Sequence, residues 1–219
     1  AVGRNACGRG VAAPEQRPAS LFLVAVGSWR VPTAMRCLSH GRGFVGADIA
    51  ALTREAVIEA VRDLAGWTGK VQGDKGYGMA FAKSFGTYVA QIVELENRDG
   101  RPQVTRAWCA VDCGIPVNPN IIRAQMEGGI GFGLGAILHS QITLGENGAV
   151  QESNYDDYPS LRIHEMPQVE VTIIKSDADP TGVGEPGVPP IGPAVANAWR
   201  ALTGQKTRAL PMLQNPGVV

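Results

Sequence analysis

One carboxylate in this sequence stands where chemistry could use it. Glu185 lies within Gly182-Val183-Gly184-Glu185-Pro186-Gly187-Val188-Pro189-Pro190-Ile191-Gly192-Pro193, a glycine and proline run that leads into a helical segment near Ala194. Val183, Val188 and Ile191 are its apolar neighbours in the run. Partial removal from water raises a carboxyl pKa toward the range useful to a general base. A rigid turn whose lone acid faces water fits the same residues, because most turn carboxylates are solvated. Local spacing alone leaves both readings open.

The other reactive side chains offer less. Cys7, Cys37, Cys109 and Cys113 include no Cys-x-x-Cys pair of the kind that closes a zinc or iron-sulfur site, and they read as free or structural thiols. Cys109 and Cys113, on a strand and at its end, are expected to be buried. His139 and His164 lack a spaced metal-binding partner and read as surface or hydrogen-bonded residues, so no metal ligand is assigned. Asp112 and Asn118 are expected to hold a loop through side-chain to backbone bonds. Glu127 follows Gln125 by two residues, which turns it to a different helix face and a structural role.

The elements that must position these residues are only partly marked. Up to about residue 42, only Leu21 to Val26 is apolar enough for a strand. From Gly46 to Leu64 the apolar positions Ile49, Leu52, Ala56, Val57, Ala60 and Leu64 recur at steps of three and four, an amphipathic helix with Asp48 near its start and Gly66 at its end. Gly69 to Gly78 reads as a connecting loop. Tyr88 to Leu95 is a β-type run, and Val104 to Val111 returns after a turn holding Asp99-Gly100, so a hairpin is predicted.

Asp112 to Pro119 is a loop, and Ile121 to His139 has the length and apolar content of a helix. Gly128, Gly129, Gly131, Gly133 and Gly135 each weaken that helix by roughly 1 kcal/mol against alanine, which implies close backbone packing. A second hairpin is predicted from Ile142–Leu144 and Val150–Ser153 around Gly145 to Gly148. Val169 to Ile174 is a strand, and Val195 to Leu202 a short helix capped by Gly204. This order is α+β, with mixed hairpins and helices, rather than alternating βαβ units. No Walker loop appears, and no Gly-x-Gly-x-x-Gly directly follows a strand.

Composition excludes some classes. Lysine plus arginine equals aspartate plus glutamate, 20 against 20, so no overall charge draws the chain to nucleic acid or anionic lipid. At 219 residues and 44% hydrophobic content it can bury a core, yet no apolar run reaches the roughly 18 to 20 residues of a membrane span. Compartment stays open.

The order of motifs is more telling than any one of them. Asp112-Cys113-Gly114, Val117-Asn118-Pro119, Gln125-Met126-Glu127-Gly128-Gly129 with its glycine helix, Asp157-Tyr158-Pro159, Gly184-Glu185-Pro186-Gly187 and Pro193-Ala194-Val195-Ala196-Asn197-Ala198 follow one another. Together they resemble the molybdopterin-binding large subunit of the xanthine dehydrogenase and aldehyde oxidase family, nearest to its isoquinoline 1-oxidoreductase branch, from about Ala65 to Leu213. The resemblance implies a C-terminal molybdenum-cofactor-binding domain over residues 65–219, preceded by a poorly assigned segment 1–64 that holds the helix at 46–64.

It further implies an oxidoreductase that hydroxylates a carbon of an N-heterocycle or an aldehyde with water, Glu185 matching the family's base toward the molybdenum hydroxyl. Gln125, Gly128, Gly129, Val183 and Gly184 match positions at the cofactor, expected in its molybdopterin cytosine dinucleotide form. Iron-sulfur clusters would reside in a [2Fe-2S] small subunit. The family's large subunit is several times longer, so the chain is expected to be a fragment or a natural truncation that does not hold the cofactor without the missing N-terminal part. The alternative is a non-catalytic remnant or interaction module. Residues 43–62, Gly43-Phe44-Val45-Gly46-Ala47-Asp48 onward, also look like the lid helix of AAA ATPases, though a helix start needing a glycine, a small residue and an acid is the favoured reading.

Overall fold

The computed structural model describes residues 46–69 and 73–213. The expected strand at Leu21 to Val26, together with Cys7 and Cys37, lies outside the described residues. The elements are α1 (Gly46–Ala65), β1 (Lys75–Ser84), β2 (Thr87–Arg98), β3 (Arg101–Asp112), α2 (Pro119–Leu138), β4 (Gln168–Ile173) and α3 (Ile191–Thr203). The four strands form one sheet in the order β1-β2-β3-β4. β1, β2 and β3 run antiparallel as a meander, and β4 joins β3 in parallel. Helices accompany a mixed sheet, which agrees with the α+β expectation.

Both hairpins close on two-residue turns whose central residues have positive φ, Phe85 and Gly86 at 52° and 82°, Asp99 and Gly100 at 53° and 80°. That is the geometry of type I′ turns, whose twist matches the flanking strands. The Asp99-Gly100 turn is legible from its residue types. Phe85 is not a residue that favours this region.

Both faces of the sheet are covered. On one, Val57 and Val61 of α1 join Trp67, Tyr77, Met79, Ala90, Ile92, Trp108 and Ala110. On the other, α2 and α3 bring Met126, Ile130, Leu134, Ile191 and Val195 against Val89, Val93, Cys109 and Val111. Alternate residues of β2 thus enter different cores, as the period of two requires. A register shift between Glu94 and Leu95 interrupts the β2–β3 ladder, and the Thr105 hydroxyl there donates to Glu94 Oε1 at 2.7 Å.

Three expectations need correction. The Gly69 to Gly78 stretch is not all loop, since β1 starts at Lys75 and includes Gly76 and Gly78. Both glycines are required by α3: a Cβ on Gly78 would stand 2.2 Å from Ala194 O and 2.3 Å from Ala198 N, and one on Gly76 2.5 Å from Ala198 O. Glycine-rich sequence here marks a helix lying almost on a strand. The second hairpin shrinks to a single bridge between Leu144 and Val150. Both residues are exposed and face no second layer, so nothing rewards a longer ladder.

The last helix, expected to begin near Ala194, begins at Ile191. Pro193 falls in its first turn, where a missing N–H leaves no bond unmade. Its end follows expectation, with Gly204 in the left-handed region and its N–H donating to Arg200 O. α1 also ends as expected on Gly66, at φ 59°. Gly66 N donates to Asp63 O and Trp67 N to Arg62 O, both at 3.2 Å, the paired bonds of a Schellman cap.

Candidate functional site

α2 is aimed by the loop before it. The Asn118 side chain caps the helix by accepting from Asn120 N and Ile121 N, each at 3.2 Å, and Pro119 occupies the first helical positions. Asp112 Oδ1 accepts from Gly114 N at 3.0 Å. These are the loop-holding roles expected of Asp112 and Asn118. The same loop grips a distant run, with Ile115 N donating to Ala178 O and Thr181 N to Cys113 O, both at 2.9 Å. The start of α2 and the approach to Gly182 are therefore tied to one another.

α2 turns Ile122, Met126, Gly129, Ile130, Gly133 and Leu134 into the core. Ile121, Gln125, Gly128 and Phe132, spaced four, three and four, form a separate exposed stripe that flanks this face, with Phe132 at 73% exposure. The helix glycines divide by what faces them. A Cβ on Gly129 would meet Gly187 at 3.2 Å, one on Gly131 the Met166 sulfur at 3.2 Å, and one on Gly133 the Ile191 side chain at 2.4 Å. Gly135 faces Leu161 at 3.6 Å. Gly128 has nothing within 4 Å. Packing within the described residues accounts for the other four and not for Gly128.

The Glu185 loop rests on this helix. A Cβ on Gly187 would come within 3.0 Å of Met126 O and 3.3 Å of Met126 Cα, so the loop backbone lies against the turn that follows Gln125. Val188 N donates to Glu185 O at 2.9 Å, closing a β-turn with Pro186 in the position that its fixed φ favours. Pro186 and Gly187 are buried, Val183 is half-buried, and Gly184 and Glu185 are exposed. Gly184, like Gly128, has nothing within 4 Å of a would-be Cβ.

The expectation that Val183, Val188 and Ile191 partly desolvate Glu185 is corrected. Ile191 packs into the core, and burial falls on the Pro186-Gly187 corner rather than on the acid. Glu185 itself is exposed. Gln125 is also exposed, on the same side of α2 as Gly128.

Two side chains that sequence reasoning passed over hold the loop in place. Gln91 Nε2 donates to Gly187 O at 2.8 Å, and Thr87 Oγ1 donates to Gly182 O at 2.6 Å. Thr87 Oγ1 and Thr181 Oγ1 are also 2.6 Å apart. With the single Thr87 proton committed to Gly182, Thr181 is the donor of that pair. Thr87 and Gln91 are both completely buried. The available signal was two polar residues at even spacing within the apolar run of β2.

The remaining candidates behave as structural groups. Cys109 and Cys113 are buried free thiols, as expected. Burial pushes the Cys109 thiol up to about 12, against a smaller opposing effect of Gln91. Burial, with Asp112 nearby, also raises that of Cys113. Glu127 and His164 are exposed, and His139 Nε2 lies 3.1 Å from Glu165 Oε1. Asp157 accepts from Ser153 N at 2.7 Å and Asn154 N at 2.9 Å, bonds that hold its pKa below the usual range. Among the described residues, no three His, Cys, Asp or Glu side chains group as metal ligands, and no helix is long and apolar enough to cross a membrane.

Comparison with known proteins supplies the context for this arrangement. Residues 26–167 match the molybdopterin cofactor-binding domain family, a span that takes in α1 and α2 and stops short of the Glu185 loop. The chain is 40% identical over 163 residues to isoquinoline 1-oxidoreductase subunit beta of Brevundimonas diminuta, covering 72% of this chain and 21% of that protein. It is 30% identical over 171 residues to the membrane-bound aldehyde dehydrogenase [pyrroloquinoline-quinone] of Gluconacetobacter polyoxogenes, covering 74% and 22%. The crystal structure of quinoline 2-oxidoreductase from Pseudomonas putida 86 aligns with a TM-score of 0.52 at 22% identity, over 57% of this chain and 17% of that one, a likeness of fold. The chain thus spans about a fifth of the length of the curated relatives named, at 21% and 22%.

Proposed function

The chain belongs to the molybdopterin cofactor-binding domain family, and from that premise we propose that it contributes the Glu185 loop and the Gln125 turn to the active site of a molybdenum hydroxylase large subunit. Its relatives are oxidoreductases by name. The observation that carries the proposal is the seating of Gly187 on Met126 and Gly129. It joins the acid-bearing loop to the turn that carries Gln125 and Gly128, two elements about 60 positions apart in sequence.

The residues fit the group on one structural test. Glycine inside a helix is retained against roughly 1 kcal/mol of propensity. At Gly128 no internal neighbour explains it, so the open backbone there is available to a group from outside the described residues. Gly184 leaves the same clearance on the loop. Gln125 offers an amide that both donates and accepts, suited to the polar rim of a pterin. Gly129 acts indirectly, by admitting Gly187, and Val183 anchors the loop's entry from its half-buried position.

When bound, the molybdenum cofactor supplies the two-electron oxidation and the activation of water that the reaction needs. This chain supplies the proton acceptor. The Glu185 carboxylate takes up a proton as the oxygen nucleophile adds to an electron-poor carbon of an N-heterocycle or aldehyde. The dry surroundings that the described residues do not give Glu185 would come from the rest of the large subunit and the substrate. The cytosine dinucleotide form of the cofactor, and a [2Fe-2S] small subunit as electron acceptor, complete the reading.

Elemental analysis tests it. The chain within a complete large subunit, co-expressed with the small subunit, is expected to carry molybdenum and to release a cytosine nucleotide on acid hydrolysis. A well-folded complex without molybdenum would refute the cofactor assignment.

A further inference from the structure

The most consequential polar contacts outside the Glu185 turn are the two that β2 makes to it. Thr87 and Gln91 are four residues apart on a strand, hence on one face, and that face also carries Val89 and Val93 into the core shared with α2 and α3. A buried polar side chain in such a core is costly unless it is bonded. Each of these donates to a carbonyl of the same loop: Gly182 O at 2.6 Å, three residues before Glu185, and Gly187 O at 2.8 Å, two residues after it, while the second N–H of the Gln91 amide is left for the buried Cys109 thiol. Gln91 Oε1 has no hydrogen-bond partner. The amide is thus kept for what its nitrogen does, since an apolar residue would fill the same space without leaving that oxygen unbonded.

We propose that Thr87 and Gln91 are positioning residues for the proposed base, a two-point clamp from the sheet that sets the place of Glu185 by holding the carbonyls on either side of it. Among the described residues the exposed Gly184-Glu185 tip makes no side-chain hydrogen bond, so its position is inherited from Gly182 and Gly187. Thr181 extends the clamp by donating to Thr87, and Cys113 O ties Thr181 N to the loop that launches α2. The two halves of the site are thereby referenced to one strand. Displacement of a reacting group by about 1 Å can cost about 100-fold in rate without any loss of binding, and this is the error that the clamp prevents.

The proposal rests on the reading of Glu185 as base, and the test separates the two. In the full chain, Gln91→Met removes the donor at nearly constant volume, Thr87→Val removes the hydroxyl, and Thr87→Ser keeps it. Hydrogen exchange at residues 182–188 is expected to accelerate at least about tenfold in Gln91→Met and Thr87→Val, with protection in β2 and β3 unchanged and Thr87→Ser near wild type. In the complete molybdenum-loaded enzyme the first two variants should lose about 10- to 100-fold in kcat with KM within about threefold, and Thr87→Ser should restore it. If Gln91→Met fails to fold, the contrast between Thr87→Val and Thr87→Ser decides. Unchanged loop exchange and kcat in Thr87→Val and any folded Gln91→Met, beside an inactive Glu185→Gln, would overturn the clamp alone. An active Glu185→Gln would overturn the base reading whatever the clamp variants do.

Discussion

Glu94 shows how a buried carboxylate looks when it is structural. Burial by itself would raise its pKa, but hydrogen bonds from Lys75, Tyr77 and Thr105 prevail and hold it below the usual range. Lys75 Nζ donates at 2.8 Å and Thr105 Oγ1 at 2.7 Å, so the group is fully engaged within its own chain. A carboxylate whose folded pKa is depressed stabilises the fold above its unfolded pKa of about 4.3, and that contribution disappears as pH falls through the folded value. The wild type's resistance to urea should therefore fall as pH drops below about 4.3. Glu94→Gln should cost about 2 kcal/mol at pH 7 and should flatten the acid limb; an unchanged limb would remove Glu94 from the account.

Glu185 presents the opposite case, exposed and without a side-chain hydrogen bond among the described residues. Its place in a Gly-Glu-Pro-Gly turn was legible, because few residue types build such a corner. The direction in which the turn points was not. Thr87 and Gln91 were illegible as anchors for a related reason: one polar residue inside a β run looks the same whether it faces solvent or a backbone carbonyl more than 90 positions away.

At the scale of elements, glycine carries two different messages. Gly78 in β1 and Gly128 in α2 are both glycines inside regular structure, yet a Cβ at the first would lie 2.2 Å from Ala194 O and at the second would meet nothing within 4 Å. Gly78→Ala should push α3 from the sheet and cost about 1 to 3 kcal/mol, as overpacking does. Gly128→Ala should raise the melting temperature of the chain through a gain of roughly 1 kcal/mol in helix propensity. In the complete enzyme the same alanine should lower molybdenum retention, because its methyl would occupy the open backbone. A stabilised chain with full molybdenum content would place the cofactor elsewhere. The periodicity of α1, the Asp99-Gly100 hairpin and the Gly204 cap were readable because each is a local signal. β1 was missed because its glycines answer to a helix more than 110 residues later.

For the molecule as a whole, the layered arrangement explains what the chain contributes and what it leaves open. α1 closes one face of the sheet, α2 and α3 close the other, and the stripe of α2 that holds Phe132 at 73% and Ile121 at 56% is left exposed. Relatives about three and a half times as long, of which 163 and 171 aligned residues make up 21% and 22%, contain further chain to cover such a surface. Everything proposed for the site converges on one proton acceptor. The decisive measurement is single-turnover reduction of the assembled, molybdenum-loaded enzyme by substrate without an electron acceptor, comparing wild type with Glu185→Gln. The neutral amide keeps the shape of the side chain and loses its basicity, so molybdenum content should stay equal while the reduction rate falls at least about 100-fold. Reduction at a near-normal rate in Glu185→Gln would contradict the account at its centre.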